Sequence, residues 1–305
     1  MHKTLHGFTT LSAAAALLFC FSLSAAAAPV LSERLTYNVM FGGLHIGDAL
    51  VALNQSESGY TTEMKMTARG AAAWVQNFSA NLKGEGSFLR GPADNGRIEM
   101  MPQPAAFARQ WSAGEIAADM TMTFDPQTRD ANVIERLFNP KTGAALKRED
   151  MPWNARRETL KPVPLDMRKN ALDPMAAFVS ARGQIMAQGV TTSGPKTFRV
   201  AIYDGARRYD LVGKTASVRV VNINGIERPL MPVTAKIEPV FGFNRESEGR
   251  MRESEGKFLF TPDERFIPVQ LIVGNDMFTS VLNLAADCRE NAAPCDTFGQ
   301  TADAQ

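Results

Sequence analysis

The chain has 305 residues, with 33 Lys and Arg against 32 Asp and Glu and a formal net charge of +1. A balance this close to zero argues against nucleic-acid binding, which uses a concentrated basic surface to meet phosphates. The length suits one large domain or two small ones.

Lys3, flanked by His2 and His6, precedes an apolar run from Leu11 to Leu23 and then Ser24-Ala25-Ala26-Ala27-Ala28. That order of basic, apolar and small-residue regions predicts a secretory signal peptide over residues 1–27, cut after Ala27. The apolar run is shorter than the roughly 20 residues of a spanning helix, and no later stretch reaches that length. A transmembrane segment in the mature chain is therefore not expected. Cys20 lies between bulky Phe19 and Phe21 and does not fit a lipoprotein cleavage site, so it is assigned to the discarded segment. The mature chain, residues 28–305, has a formal charge of 0, because Lys3 is lost and no acid lies in 1–27. It keeps one histidine, His45, and two cysteines, Cys288 and Cys295. In an exported, periplasmic protein such a pair persists as a disulfide. The polar loop between them, with Pro294, fits a structural bridge, and its spacing does not match the Cys-x-x-Cys redox motif.

Period-two alternation predicts strands through most of the mature chain. In order, these are Leu35-Tyr37-Val39-Phe41, Tyr60-Thr62-Met64-Met66 and Phe78-Ala80-Leu82-Gly84-Gly86-Phe88. Met120-Met122-Phe124, Phe198-Val200-Ile202, Ala216-Val218-Val220 and Val233-Ala235-Ile237 follow, then Phe258-Phe260, Ile267-Val269-Leu271 and Phe278-Ser280-Leu282-Leu284. Turn residues such as Ser58-Gly59, Asp204-Gly205 and Thr261-Pro262-Asp263 separate them, the punctuation of an antiparallel meander. One helix is clear: Asp173 is the N-cap, Pro174 the first helical residue and Gly189 the end. Its apolar stripe of Met175, Phe178, Val179, Ile185 and Met186 is interrupted by Arg182. A shorter helix is expected over Ala71–Gln76. Between about 139 and 170 the alternation fails. This proline-containing, basic stretch, densest in Lys and Arg over 147–169, reads as an irregular surface excursion within one β-rich domain. The tandem Arg245-Glu-Ser-Glu-Gly249 and Arg252-Glu-Ser-Glu-Gly256 predicts an exposed loop or hairpin of opposite charges.

No catalytic, cofactor or metal residues are assigned. Gly213-Lys214-Thr215 lacks the upstream glycine of a phosphate loop. There is no Gly-x-Ser-x-Gly elbow, and one histidine cannot build a multi-histidine zinc site. Paired carboxylates remain open as a hydrolase acting on envelope glycans, since glycosidases need only two acids. What stands out is an apolar sheet face rich in methionine, a residue suited to varied apolar ligands. Its candidate lining is Met64, Met66, Phe78, Leu82, Met120, Met122 and Phe178.

Several ordered motifs resemble a known family. Tyr37-Asn-Val-Met-Phe-Gly-Gly-Leu-His-Ile-Gly47 is similar to the opening of the exported bacterial domain-of-unknown-function 3108 family. Leu172-Asp-Pro-Met-Ala-Ala177, Phe198-Arg-Val-Ala-Ile-Tyr-Asp-Gly205 and Phe258-Leu-Phe-Thr-Pro-Asp-Glu-Arg-Phe-Ile-Pro-Val269 look like its helix start, a following strand and its closing hairpin. The resemblance implies an exported, mostly antiparallel β protein and supplies no catalytic residue. The expected fold is mainly β: a single long curved antiparallel sheet, as a half-open barrel or spiral, packed on one main helix. The expected function is non-enzymatic: binding or envelope maintenance, with a lipid or other apolar ligand or an envelope protein as partner. A ligand-free scaffold is the remaining alternative. A binder should carry an apolar cavity of several hundred Å³.

Overall fold

The computed structural model describes residues 31–70, 73, 77–92, 98–147, 161–189, 195–223, 225–274, 279–289, 293–296 and 298. The expected signal peptide, all but Ala73 of the short helix expected over Ala71–Gln76, Phe278, and residues 148–160 of the basic excursion lie outside them.

The first seven strands form a meander in which each pairs antiparallel with the next: β1 (Leu31–Phe41), β2 (Leu44–Gln55), β3 (Gly59–Ala68), β4 (Ser79–Pro92), β5 (Ile98–Ala113), β6 (Ile116–Phe124) and β7 (Ala131–Phe138). The pleat sends alternate side chains to one inner face. Register aligns Glu33, Leu53, Thr62, Gly84, Phe107, Met122 and Val133 as one row across that face. Pro102 and Pro104 sit in the part of β5 that precedes its pairing with β6 at Ala106, so neither removes a ladder hydrogen bond on that side.

The chain then passes through a single helical turn, α1 (Leu165–Arg168), into α2 (Pro174–Gln188). The second half adds β8 (Thr197–Tyr203), β9 (Arg208–Thr215), β10 (Arg219–Ile223), β11 (Ile226–Phe241), α3 (Arg245–Glu253), β12 (Glu255–Phe260), β13 (Pro268–Gly274), β14 (Thr279–Asp287) and a last turn α4 (Ala293–Asp296). Because β14 pairs with β1, the two halves join through the first and last strands into one 14-stranded sheet, ordered β7-β6-β5-β4-β3-β2-β1-β14-β13-β12-β11-β9-β8, with β10 on β11. This is the expected long antiparallel sheet around one main helix. It is not closed by hydrogen bonds between its ends, β7 and β8. The segment before α2 lies along that seam. Leu172 bridges to Ile202 of β8, while Arg168 Nη1 donates to the Ala131 carbonyl at the start of β7. Val163 and Ala171 are buried there with Phe124, Ala131 and Tyr203.

Helix α2 begins as the sequence predicts. Asp173 Oδ1 accepts from the backbone N–H groups of Met175 (2.8 Å) and Ala176 (3.0 Å), and Pro174 occupies the first turn. Its Ala176, Ala177, Val179, Ala181 and Ile185 pack against Leu53 and Tyr60 from one half of the sheet and Phe198, Val200, Met231, Val233 and Phe260 from the other. The helix thus fills the concave face. It approaches β4 at Gly84, where a Cβ would lie 2.9 Å from both Met175 Cβ and Thr62 Oγ1. Gly84 is the clearance the helix requires.

Two expectations change. The charged repeat is a helix followed by a strand, not a loop or hairpin. Asn244 and Ser247 form a reciprocal capping box, and Arg250 and Arg252 pair with Glu246 and Glu248 one turn earlier. The strand expected over 216–220 begins at Arg219. Gly213-Lys214-Thr215, which resembles the end of a phosphate loop, is the end of strand β9, and the Phe198 ring lies over Gly213, where any Cβ would clash.

Two glycine substitutions should move stability in opposite directions in urea unfolding. Gly84→Ala forces α2 off the sheet and should cost about 1–3 kcal/mol. Gly249→Ala, on the open face of α3 with nothing within 4 Å of the new Cβ, should stabilise by roughly 0.5–1 kcal/mol.

Candidate functional site

A cavity of about 870 Å³ opens beside the C-terminal half of α2. Its apolar wall comes from Leu31 of β1, Leu53 of β2, Met100 of β5 and Val179 and Met186 of α2. Gln55, Ser56 and Glu57 at the end of β2, Arg182 and Gly183 of α2, and Glu264, Arg265 and Arg289 complete it. It exists because α2 crosses the inner row: Met175 packs near Gly84 and Arg182 meets Glu33 of β1.

Arg182 and Glu33 are only 3% and 2% exposed and form a bidentate ion pair, with Nη1 and Nη2 at 2.6 and 2.8 Å from the two carboxylate oxygens. Arg182 Nη2 also donates to the Arg265 carbonyl. Arg265 in turn lies 3.5 Å from Glu33 and 2.5 Å from Asp287 of β14. Burial pushes the Asp287 carboxyl up, but Arg265 and the Arg289 backbone N–H together hold it below the usual carboxylate range. Tyr37, buried beside this network, donates its hydroxyl to the Pro268 carbonyl (2.9 Å), and burial raises its pKa.

A second buried polar group sits at the other end of α2. Asp173 is fully buried, and desolvation lifts its pKa to about 6 against the backbone hydrogen bonds that lower it. Its Oδ2 and the buried Tyr60 hydroxyl have no hydrogen-bond partner among the described residues. Burial raises the Tyr60 pKa, the Asp173 charge adds to that, and Arg129 opposes it.

The methionines expected to line a trough share the inner face. Met120 and Met122 are 2% and 0% exposed and pack with Phe107 and Met175, with Met64 and Leu82 against them. Met66 joins a separate cluster around Leu35 and Tyr37. Phe78 and Phe178 are half-buried and belong to none of these clusters. Met120 and Met122 are buried in the core, and the walls of the cavity of about 870 Å³ come from other residues. Of these, Val179, Arg182 and Met186 were visible as the interrupted stripe of α2. Leu31, Leu53 and Arg265 carry no local signal, because distant strands bring them together.

A second groove of about 520 Å³ crosses β2–β6, with small residues Ala52, Ala106, Ala108, Thr121 and Thr123 and the acids Glu63 and Glu85, and it is bordered by Thr62, Gly84, Phe107 and Met122 of the inner row. Glu63 there is paired with Lys65 and Lys83 at 3.3 and 3.5 Å. His45 is an exposed residue bonded to Asp48 (2.9 Å), which also pairs with Arg69. Among the described residues there is no cluster of three or more metal-ligating side chains. No helix among them is long and apolar enough to cross a membrane. Cys288 and Cys295 form a disulfide, with Cα atoms 6.0 Å apart.

A family model described as a protein of unknown function (DUF3108) matches residues 36–277. A crystal structure of a beta-barrel-like protein of domain of unknown function DUF1849 from Brucella abortus is similar at 12% identity and a TM-score of 0.46. The match covers 84% of this chain and 96% of that one. Among curated proteins no match was found.

Two consequences follow for stability. Glu33→Gln strands the Arg182 charge in the interior and should cost about 3–5 kcal/mol in urea unfolding, whereas Glu33→Leu combined with Arg182→Met should recover most of that loss. Asp173 holds its proton more tightly when folded, with a pKa of about 6 against an ordinary 3.8. Its charge penalty is therefore absent below the unfolded pKa and grows as pH rises through the interval between the two, so stability falls across that window. Asp173→Asn, which keeps an N-cap, should flatten that slope and leave the protein at least as stable at neutral pH.

Proposed function

The chain belongs to the DUF3108 family, and from that premise we propose that it is a non-enzymatic binding protein of the bacterial envelope that holds an apolar ligand beside α2. The observation that carries this reading is the cavity of about 870 Å³ walled by Leu31, Leu53, Met100, Val179 and Met186. Its size falls in the range of roughly 300–1,000 Å³ usual for small-molecule sites, which are likewise mostly apolar with a few placed polar groups. An apolar molecule gains by leaving water for such a wall, at about 25 cal/mol per Å² of apolar surface buried. A periplasmic location is supported by the basic–apolar–small order of residues 1–27 and by the Cys288–Cys295 bridge, which suits an oxidising compartment.

Carboxylate-based hydrolysis of envelope glycans is the second reading, and the groove with Glu63 and Glu85 is the observation in its favour. Glu63 spends its charge on two lysines there, which suits a solvated surface network better than a pair of catalytic acids.

The binding reading is tested with N-phenyl-1-naphthylamine, a neutral apolar dye that brightens when it leaves water. Saturable one-to-one binding is expected. Gly183 lines the cavity, and a Cβ there has nothing within 4 Å, so Gly183→Trp should fill the space without disturbing the core. It should weaken dye binding by about tenfold or more, an affinity loss of about 1.4 kcal/mol, with the melting temperature kept. Absent binding, or binding indifferent to Gly183→Trp, would reject the proposal.

A further inference from the structure

Resting on the cavity reading above, we infer that the ligand is a single-chain amphiphile with an anionic head, its chain against the apolar wall and its head at the guanidinium groups. Leu53, Val179 and Met186 line the cavity with apolar surface, and Arg182, Arg265 and Arg289 line it with three guanidinium groups.

The nearby carboxylates are already committed. Glu33 gives both oxygens to Arg182, and Asp287 takes Arg265. Yet N–H donors are left over. Arg182 Nε and Arg265 Nη2 are buried and have no acceptor among the described residues. Arg182 is itself 97% buried, being 3% exposed. Those two donors are closed off from the cavity, so a ligand head meets the arginines through the parts of Arg182, Arg265 and Arg289 that line it. An ionised acceptor is favoured over a neutral one, because charge-assisted bonds to guanidinium are shorter and about twice as strong. At the mouth, Arg289 is exposed and makes no salt bridge among the described residues, while Glu57 is taken up by Arg90 at 2.9 Å. Glu264 is the acid at the rim that opposes an anion.

Carboxylate and phosphate heads share this chemistry, so the experiment uses both. Hexadecanoic acid, hexadecyl phosphate and hexadecanol compete for the bound dye at neutral pH and low salt. At least one acid should bind about tenfold or more tightly than the alcohol, and the better of the two identifies the head. Arg289→Gln should narrow that preference severalfold and Glu264→Gln should widen it. Added salt should narrow it too, because the rim charges are screened. If the alcohol binds as tightly as both acids, or if the preference ignores both substitutions, the head-group inference falls and the apolar cavity stands. If none of the three displaces the dye, both fall.

Discussion

A charge on a helix enclosed by a sheet is tolerable only with a counter-charge in place, and the Glu33–Arg182 pair meets that condition. The pair does more than neutralise. Glu33 belongs to the first described strand, Arg182 to the central helix, Arg265 to the turn before β13 and Asp287 to the last strand. One network therefore joins the start, middle and end of the fold at the place where β1 and β14 zip the two halves together. A buried pair of this kind contributes little net stability against a well-packed apolar replacement; its effect is to fix one seating of the helix.

That seating divides the concave face. At the N-terminal end of α2 the space is filled: Met175 meets Phe107, Met120 and Met122, and Gly84 lets the helix close on the sheet. Toward the C-terminal end the turn from Val179 to Met186 stands off from Leu31, Leu53 and Met100 and leaves the cavity. The same helix is thus a plug at one end and a wall at the other. The seam between β7 and β8 follows from the same geometry. The sheet ends without closing, and the segment leading into α2 packs Val163 and Ala171 between its two edges.

Much of this was legible locally. Alternation in Leu35–Phe41 and Phe78–Phe88 marks half-buried strands because the pleat repeats every second residue. Asp173-Pro174 marks the start of α2 because both residues suit a helix N-terminus. Other strands escaped for identifiable reasons. In β2, Ala49-Leu50-Val51-Ala52-Leu53 is apolar without a break, with Leu50 buried as fully as Ala49 and Leu53, so there is no alternation to read. In β5 the prolines argue against a strand unless one knows that β6 pairs only beyond them. The repeat over 245–256 looked like a hairpin because its glycines and charges disfavour burial, yet its four-residue Glu-to-Arg spacing is a helical signal. The cavity was the least legible feature. The methionine-rich face was visible, but whether a methionine is core or lining depends on where α2 lies, and Arg182 within an apolar stripe was the one local hint of that.

The central claim is that the ligand space lies at the C-terminal end of α2 and not among the core methionines, and methionine methyl NMR tests it most directly. With ¹³C-methyl methionine, hexadecanoic acid is titrated into the oxidised protein. The account predicts that the Met100 and Met186 methyl signals shift and saturate together while those of Met120 and Met122 stay in place. Shifts confined to Met120 and Met122, or no shift at any methionine, would contradict it.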